Sequence, residues 1–445
     1  MEDIEAMFQV SNEKLDILIK GFSDEMKAGL SNDYNNEQVK RNLLKMIPSY
    51  VTGHPTGNEK GTYLALEISG VDIYVCQVKL KGDGGKLAIN QYQYKIPDYF
   101  TAGDDIGVLI DYVAGCVADF QTRVGISNNS NERTYSMAIS VGFAVRQTGL
   151  DCGVIIALEH GFEFPNAIGC NIVDLFHQKF HEKGLAIKIV AIANDAVCTL
   201  LAHAYQHPST RIGIVHAAGT NCAYYDKISN MSAFLSQQEN ANINLNQEMI
   251  INTEWCNFGS KQYLPMTIFD HILDNESNNQ GIHIFEKMTT GMYLGEQVRQ
   301  ILIHLLDQGI LSFSTTTTTT TNDNNNNNNN NNNSNSNNSN NNNNNENEDA
   351  EDCLLRVPYQ FDTSYMYVCE ADEDLDTLED TRVVLEEMCK VGPTTLADRE
   401  IVKKACELVG NRAAILLGAS IASVVKYMFE HKIGIDQPNG FAICK

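Results

Sequence analysis

Two apolar strands that each end in polar, turn-forming residues constrain this chain more than any other feature. The first, residues 187–193, runs into Asn194-Asp195-Ala196-Val197. The second, Ile212-Gly213-Ile214-Val215-His216, runs into Ala217-Ala218-Gly219-Thr220-Asn221. Aliphatic, β-branched runs of this length bounded by small and polar residues read as buried strands. A carboxylate at one strand end, beside a turn whose backbone amides can hold phosphate, is what phosphoryl transfer needs. The acid takes the proton of the attacking hydroxyl, and the amides hold the transferred group. Each half alone is unspecific: Asn-Asp before a helix is commonly an N-cap, and Ala-Ala-Gly-Thr-Asn commonly an ordinary turn.

The flanking sequence sets these strands in an α/β pattern. Residues 63–68 and 73–80 alternate apolar and polar around a Ser69-Gly70 turn. Asp83-Gly84-Gly85 is a hairpin signal, and 86–96 is a third strand. A helix over 106–124, a strand over 137–145, a helix over 172–181 and the 187–193 strand follow. From Arg211 the pattern starts afresh, with a hairpin of 211–217 and 222–226, a strand over 248–253 and a long helix over 287–308. Near the start, Leu15, Leu18, Ile19, Phe22, Met26 and Leu30 fall at helical spacing behind Ser11 or Asn12 as a cap. The C-terminal part reads as helices over 376–389, 396–409 and 412–430. Two successive α/β units with a cleft between them would place the Asp195 and Gly219 segments at the hinge.

Composition excludes several classes of partner. The 445 residues carry a net charge of −24, which argues against nucleic acid and anionic membrane, since both need clustered Lys and Arg. The longest apolar run, 413–425, is too short to span a bilayer. The acidic start Met1-Glu2-Asp3-Ile4-Glu5 has neither the basic nor the apolar region of a signal peptide. Twelve cysteines stand singly with no C-x-x-C pair. No zinc site is therefore expected, and reduced thiols in a cytoplasmic setting are. Thr315 to Thr321 and the Asn-rich run from Asn322 to Asn347 cannot bury apolar surface. They read as a disordered surface insertion whose one tendency is self-association, which leaves a homodimer open.

Read together, these segments resemble the eukaryotic hexokinase and glucokinase family from about Met46 to Gly440. Met46-Ile47-Pro48-Ser49-Tyr50-Val51 resembles M-L-P-T-Y-V, and Glu59-Lys60-Gly61 resembles E-K-G. Phe285-Glu286-Lys287-Met288 and Gly291-Met292-Tyr293-Leu294-Gly295-Glu296 resemble F-E-K-M and G-x-Y-L-G-E, and Asp362-Thr363-Ser364-Tyr365 matches D-T-S-Y. The resemblance implies a two-lobed, actin-like (ribonuclease H-like) ATPase fold with a sugar cleft between a small and a large lobe. It implies the division 1–61 (N-terminal helix and entry segment), 62–194 (small lobe) and 195–445 (large lobe, interrupted by the insertion at 314–352). By the same resemblance Asn194 and Asp195 hold a hexose, Asp195 being the catalytic base for its 6-hydroxyl. Asn221, Glu254 (within Asn252-Thr253-Glu254-Trp255) and Glu286 match further sugar-binding positions. Carboxylates and amides suit a polyol because they make paired hydrogen bonds to adjacent hydroxyls.

The chain departs from the family on both sides of that site. The sugar loop F-S-F-P appears as Val141-Gly142-Phe143-Ala144, so a hydroxyl and a proline are gone while Phe143 remains. Thr-Lys before Gly-Phe appears as Glu159-His160, and a Gln three residues before Glu286 appears as His283. The first phosphate loop, D-L-G-G-T-N-F-R, appears as Glu67-Ile68-Ser69-Gly70-Val71-Asp72-Ile73-Tyr74. It has lost a glycine, the Thr hydroxyl and the Arg, and gained an acid. One lost donor or cation of this kind typically costs roughly 2.7–4 kcal/mol of transition-state stabilisation. In the second loop G-T-G appears as Ala217-Ala218-Gly219. The family's adenosine loop and its returning helix have no counterpart before Lys445.

Three readings follow. In the first, the protein binds a glucose-like hexose with impaired or absent phosphotransfer and acts as a sugar-responsive regulator with a protein partner, needing no cofactor. In the second it is an ATP:hexose 6-phosphotransferase, with Mg-ATP held by Gly70, Gly219 and Thr220 and with Glu67 near the metal. In the third it is an interaction protein with no ligand.

Overall fold

The computed structural model describes residues 1–31, 43–70, 72–126, 134–158, 161–238, 243–259, 263–315, 353–434 and 440–445. The bulk of the Thr/Asn-rich insertion, together with Val71, Glu159 and His160, lies outside the described residues.

In chain order the first elements are helices α1 (Glu2–Phe8) and α2 (Asn12–Ser31), then strands β1 (Ile47–Thr52), β2 (Lys60–Ser69), β3 (Asp72–Gly82) and β4 (Lys86–Lys95). Helix α3 (Gly107–Arg123), β5 (Tyr135–Val141), β6 (Val145–Gly149), β7 (Cys152–Ile155), α4 (Ile172–Glu182), β8 (Ile187–Asn194) and α5 (Asp195–Gln206) follow. Then come β9 (Thr210–His216), β10 (Thr220–Lys227), α6 (Ser232–Ser236), β11 (Glu248–Asn252), α7 (Ile268–Glu276) and α8 (Ile284–Thr289). The last are α9 (Leu294–Asp307), α10 (Thr363–Ala371), α11 (Glu379–Arg382), α12 (Leu396–Glu430) and β12 (Ala442–Cys444).

The chain divides into two compact units. The larger comprises residues 10–266, 274–290 and 413–445 and holds both main sheets. One sheet has the order β4-β3-β2-β5-β8, antiparallel across β4, β3 and β2 and parallel across β2, β5 and β8. Its apolar face, including Leu66, Ile73, Val75, Ile139 and Ile189, is buried with Val113, Val117 and Phe120 of α3 and Phe176 and Phe180 of α4. The other sheet has the order β1-β11-β10-β9-β12 and shares a core with α2 and the end of α12. The three-residue hairpin between β3 and β4 places Asp83, Gly84 and Gly85 all at positive φ, which the two glycines adopt at no steric cost. Ser11 caps α2, its hydroxyl accepting the N–H of Lys14 at 3.3 Å.

Four sequence expectations are corrected. The 137–145 strand is two strands, because Gly142 to Ala144 break the ladder after Val141 and Val145 starts the β6–β7 hairpin, which the sequence reading missed. The 287–308 helix is interrupted between Thr289 and Leu294. There the Thr363 hydroxyl donates to Gly291 O at 2.6 Å and accepts from Gly295 N at 2.8 Å, satisfying backbone groups of the break. The helices expected over 396–409 and 412–430 are one continuous helix, α12. Gly410 does not end it: a Cβ there would stand 2.5 Å from Glu370 Oε1, so this glycine allows close packing of α10. By length and composition α12 is long and apolar enough to cross a membrane, against the reading from the 413–425 run alone. Its Leu416, Val424, Tyr427 and Met428 are nevertheless buried in the protein's own core.

The smaller unit comprises residues 1–9, 267–273 and 291–412. At its centre the Arg412 guanidinium donates to both Asp270 oxygens (2.7 and 2.8 Å) and to Gln297 Oε1 (2.7 Å), and lies over the Phe8 ring.

Candidate functional site

The site is built within the larger unit by two strand ends brought side by side. Gly213 of β9 makes this possible. A Cβ there would stand 2.6 Å from Leu200 Cβ and 2.8 Å from Ala196 O, so only a glycine lets α5 lie so close to β9. The start of α5 and the turn after β9 are thereby held together. Asn194 caps α5, its Oδ1 accepting the N–H of Ala196 at 2.9 Å.

Around that cap the sequence-predicted polar residues converge. Asn221, at the start of β10, donates from Nδ2 to Asn194 Oδ1 (3.0 Å), Asn252 Oδ1 (2.8 Å) and Glu254 Oε1 (3.2 Å). Asn252 donates in turn to Glu254 Oε1 at 2.6 Å. Glu254 sits just past β11 at φ 50°, in the left-handed region. It is fixed by its neighbour Trp255, whose ring packs edge-on against Phe22 and Phe285 and whose Nε1 donates to Thr220 Oγ1 at 2.9 Å. Glu286 enters from α8, Oε2 accepting the N–H of Thr220 at 3.1 Å. His283, at φ 56°, holds Nδ1 3.6 Å from Glu286 Oε1. Lys287 is turned away from these acids, its ammonium donating to Asp274, Ser277 and Asn279.

Asn252 is the residue the sequence reading missed. Its signal was the period of a strand: it lies two residues before Glu254 in the same motif. Phe143 is buried in the core of the first sheet, edge-on to Phe162. Beside it, Gly142 opens the pocket where the family carries a hydroxyl. A Cβ on Gly142 would stand 3.6 Å from Asp195 Oδ2.

The acids are charged against resistance. Burial pushes the Asp195 carboxyl up to about 7, reinforced by the charges of Glu254 and Glu67 and opposed by the Ala196 N–H. Burial also carries Glu286 up to about 7, with Glu254 adding to it. Glu254 is raised as well, again by burial first, against the donors Asn252 and Asn221. Glu67 stands abreast of Ser140, which stands abreast of Ala193, in the parallel ladder β2–β5–β8. It therefore faces Asp195 across two strands. Burial raises it too, and among the described residues its carboxylate accepts no hydrogen bond.

The phosphate side is built differently. Gly70 adopts φ 55°, and a Cβ there would meet nothing within 4 Å. Ala217 and Ala218 are exposed, and the Ala217 N–H closes the turn onto Gly219 O at 2.8 Å. Both donors of Thr220 are engaged inside the protein, its N–H by Glu286 and its hydroxyl by Val215 O at 3.1 Å. The foreign acid, Asp72, points along the sheet instead of toward these turns: Gln93 donates to it at 2.9 Å and Lys95 pairs with it at 3.1 Å. Neither turn carries a Lys or Arg. A Mg2+ ion needs one or two carboxylates and keeps several waters and substrate oxygens. Glu67, with its oxygens unengaged among the described residues, fits that demand. No group of three or more His, Cys, Asp or Glu placed to share a metal occurs among the described residues.

Comparison with known proteins supports the resemblance. Family models described as Hexokinase match residues 1–205 and 211–437. Hexokinase-1 of Saccharomyces cerevisiae is 30% identical over 425 residues, covering 95% of this chain and 78% of that protein. Hexokinase-1 of Mus musculus is 29% identical over 444 residues, covering 99% of this chain and 40% of that protein. Among solved structures, a hexokinase from Schistosoma mansoni complexed with glucose superposes with a TM-score of 0.77 at 27% identity. It covers 99% of this chain and 93% of its own. With the two-lobed fold, the matching motifs and identity of this order along nearly the whole chain, this protein belongs to the hexokinase family.

Proposed function

We propose that this protein binds a glucose-like hexose at Asn194, Asp195, Asn221, Glu254 and Glu286, and that its phosphotransfer is impaired. One observation carries this reading. Asn194, Asn221, Asn252 and Glu254 form a buried, mutually hydrogen-bonded set with Glu286 buried beside them, whereas the phosphate turns offer no cation and few free side-chain donors. Asp195, at the first position of α5 with its carboxyl near neutrality, accepts the proton of a hexose hydroxyl. Asn194 orients that acid by fixing the helix start. Glu254 and Glu286 accept hydrogen bonds from neighbouring hydroxyls, and Asn221 sets the direction of Glu254. Mg-ATP, when bound, supplies the phosphoryl group and neutralises its charge, with Glu67, Gly70 and Gly219 as the residues nearest to that task. In a cytoplasmic setting the sugar-bound form would then be the state that a partner protein reads.

The second reading, an active ATP:hexose 6-phosphotransferase, is favoured by Asp195 itself, since a general base works best with a pKa near the ambient pH. Two measurements decide between them: calorimetric titration with glucose, and a coupled assay for glucose 6-phosphate at saturating glucose and Mg-ATP. Glucose binding with turnover no faster than that of Asp195→Ala supports the proposal. Turnover that Asp195→Ala removes supports the second reading, and no binding of glucose rejects the first.

A further inference from the structure

Each of the two main sheets has two edge strands, and three of these four edges are blunted. The outer side of β8 is occupied: Ile192 donates its N–H to Leu150 O at 2.9 Å, and its carbonyl accepts from Gln147 Nε2 at 2.8 Å. β1 carries Pro48, a register shift between Pro48 and Thr52, and Tyr50 at φ 60°. β12 is three residues long. Cover, proline, broken register and shortness are the means by which an edge is kept from pairing with another chain.

β4 uses none of them. It is ten residues long, and Ala88 to Gln93 are all exposed, Ile89 by 50% and Tyr92 by 38%. Its pairing with β3 is regular from Leu87 to Lys95. Tyrosine hydroxyls hold the carbonyls at its two ends, Tyr205 donating to Lys86 O at 3.2 Å and Tyr112 to Lys95 O at 2.6 Å. Between them, among the described residues, the backbone groups of 87–94 that point away from β3 have no partner. Leu87-Ala88-Ile89-Asn90-Gln91-Tyr92-Gln93-Tyr94 contains no charge, glycine or proline. The flanking Lys86 and Lys95 are each paired within the chain, with Asp83 and Asp72.

The chemistry of this edge selects its occupant. A neutral strand gives a charged peptide nothing to pair with. Asn90, Gln91 and Gln93 each offer donor and acceptor on one amide, so the edge is complementary to a copy of itself. Antiparallel pairing about a two-fold axis at Gln91 sets Gln91 opposite its own counterpart, Asn90 opposite Tyr92 and Ile89 opposite Gln93. No lysine then faces a lysine. We propose that β4 is a self-association edge, through which two copies of this chain pair antiparallel and join their sheets into one, as a symmetric dimer. Strand pairing alone buries less than the roughly 800 Å² per partner of a standard interface, so the dimer is weak.

Sedimentation equilibrium of the full chain tests this. The mass should rise with concentration from 49.4 kDa toward twice that value, with a dissociation constant on the order of 10–100 µM. Hydrogen exchange at 87–94 should slow over the same concentrations. Gln91→Glu and Gln91→Lys each set like charges face to face and should weaken the dimer about fivefold with the melting temperature unchanged. Mixed in equal amounts, the two variants should regain the wild-type affinity, because Glu then faces Lys. Each copy carries a net charge of −24, so raising salt from about 0.1 to 1 M should tighten the dimer by screening their repulsion. A wild type still monomeric at about 1 mM, tenfold above the weakest expected constant, overturns the proposal. So does a dimer that leaves exchange at 87–94 unchanged, that ignores both variants, that mixing does not restore, or that salt loosens. Removing Asn322 to Asn347 should leave the dimer intact; a dimer lost with that run and indifferent to residue 91 also overturns it.

Discussion

The proposed sugar pocket and the proposed phosphate turns are held by opposite means. The pocket is made of side chains. Asn194, Asn221, Asn252, Glu254 and Glu286 are all buried; the first four hold one another through side-chain hydrogen bonds, and Glu286 accepts the Thr220 N–H beside them. The phosphate turns are made of backbone: Ser69, Ala217 and Ala218 are exposed, and their side chains offer no cation. A buried polar network resists change, because removing one member strands the others without partners. An exposed turn has no such restraint, and a changed side chain there costs stability little. The lesson is that two sides of one site can rest on different physics, a buried side-chain network on one side and exposed backbone turns on the other.

The largest effect that tests this contrast is Asp195→Ala. Any formation of glucose 6-phosphate should disappear, as read in the coupled assay; surviving turnover would remove Asp195 from the role of base. Next comes a gain on the phosphate side. Val71→Thr combined with Tyr74→Arg returns a hydroxyl and a cation to the first turn and should raise phosphotransfer by roughly a hundredfold, the worth of one such donor, with glucose affinity unchanged. A rate that does not move would mean the missing donors are not what limits it.

Asn221→Ala should weaken glucose binding about tenfold and lower stability by about 1–3 kcal/mol in denaturant titration, because Glu254 and Asn252 lose a shared donor. A silent substitution would show that the network is not what shapes the pocket. A smaller effect follows from the acids. Asp195 and Glu286 have carboxyls raised in the folded state to about 7, well above their unfolded values. The stability tied to their protonation is therefore full below about pH 4 and lost as pH rises through about 7. The sugar-free protein should melt lower at pH 8 than at pH 5. Glucose should bind more tightly at pH 8 than at pH 6, because its hydroxyls donate to the ionised acids. Asp195→Asn should flatten both trends; a melting temperature that rises from pH 5 to pH 8 would contradict the assignment. Deleting Asn322 to Asn347 should have the smallest effect of all, with melting temperature and glucose response unchanged.

Much of this was legible before any coordinates. Strands at 63–68, 73–80 and 187–193 appear within a few residues of β2, β3 and β8, because alternation and β-branched runs report burial locally. Helix continuity was less legible. Val409-Gly410-Asn411 reads as a stop, but α12 passes through it, since packing against Glu370 and the anchored Arg412 outweighs the propensity cost of one glycine, about 1 kcal/mol. Asn252 was overlooked for a similar reason: its partner Asn221 is brought to it by the pairing of β10 with β11 and not by nearness along the chain.

The sequence by itself determined the family, the α/β pattern and the identity of the acids, because motifs and periodicities are local and survive without coordinates. Only the tertiary structure decided what those acids do to one another. It placed Asn221 among three acceptors, turned Asp72 toward Lys95, and set His283 3.6 Å from Glu286. Those are distances between residues far apart in sequence or on opposite sides of a turn, and they are fixed by how sheets and helices close on each other.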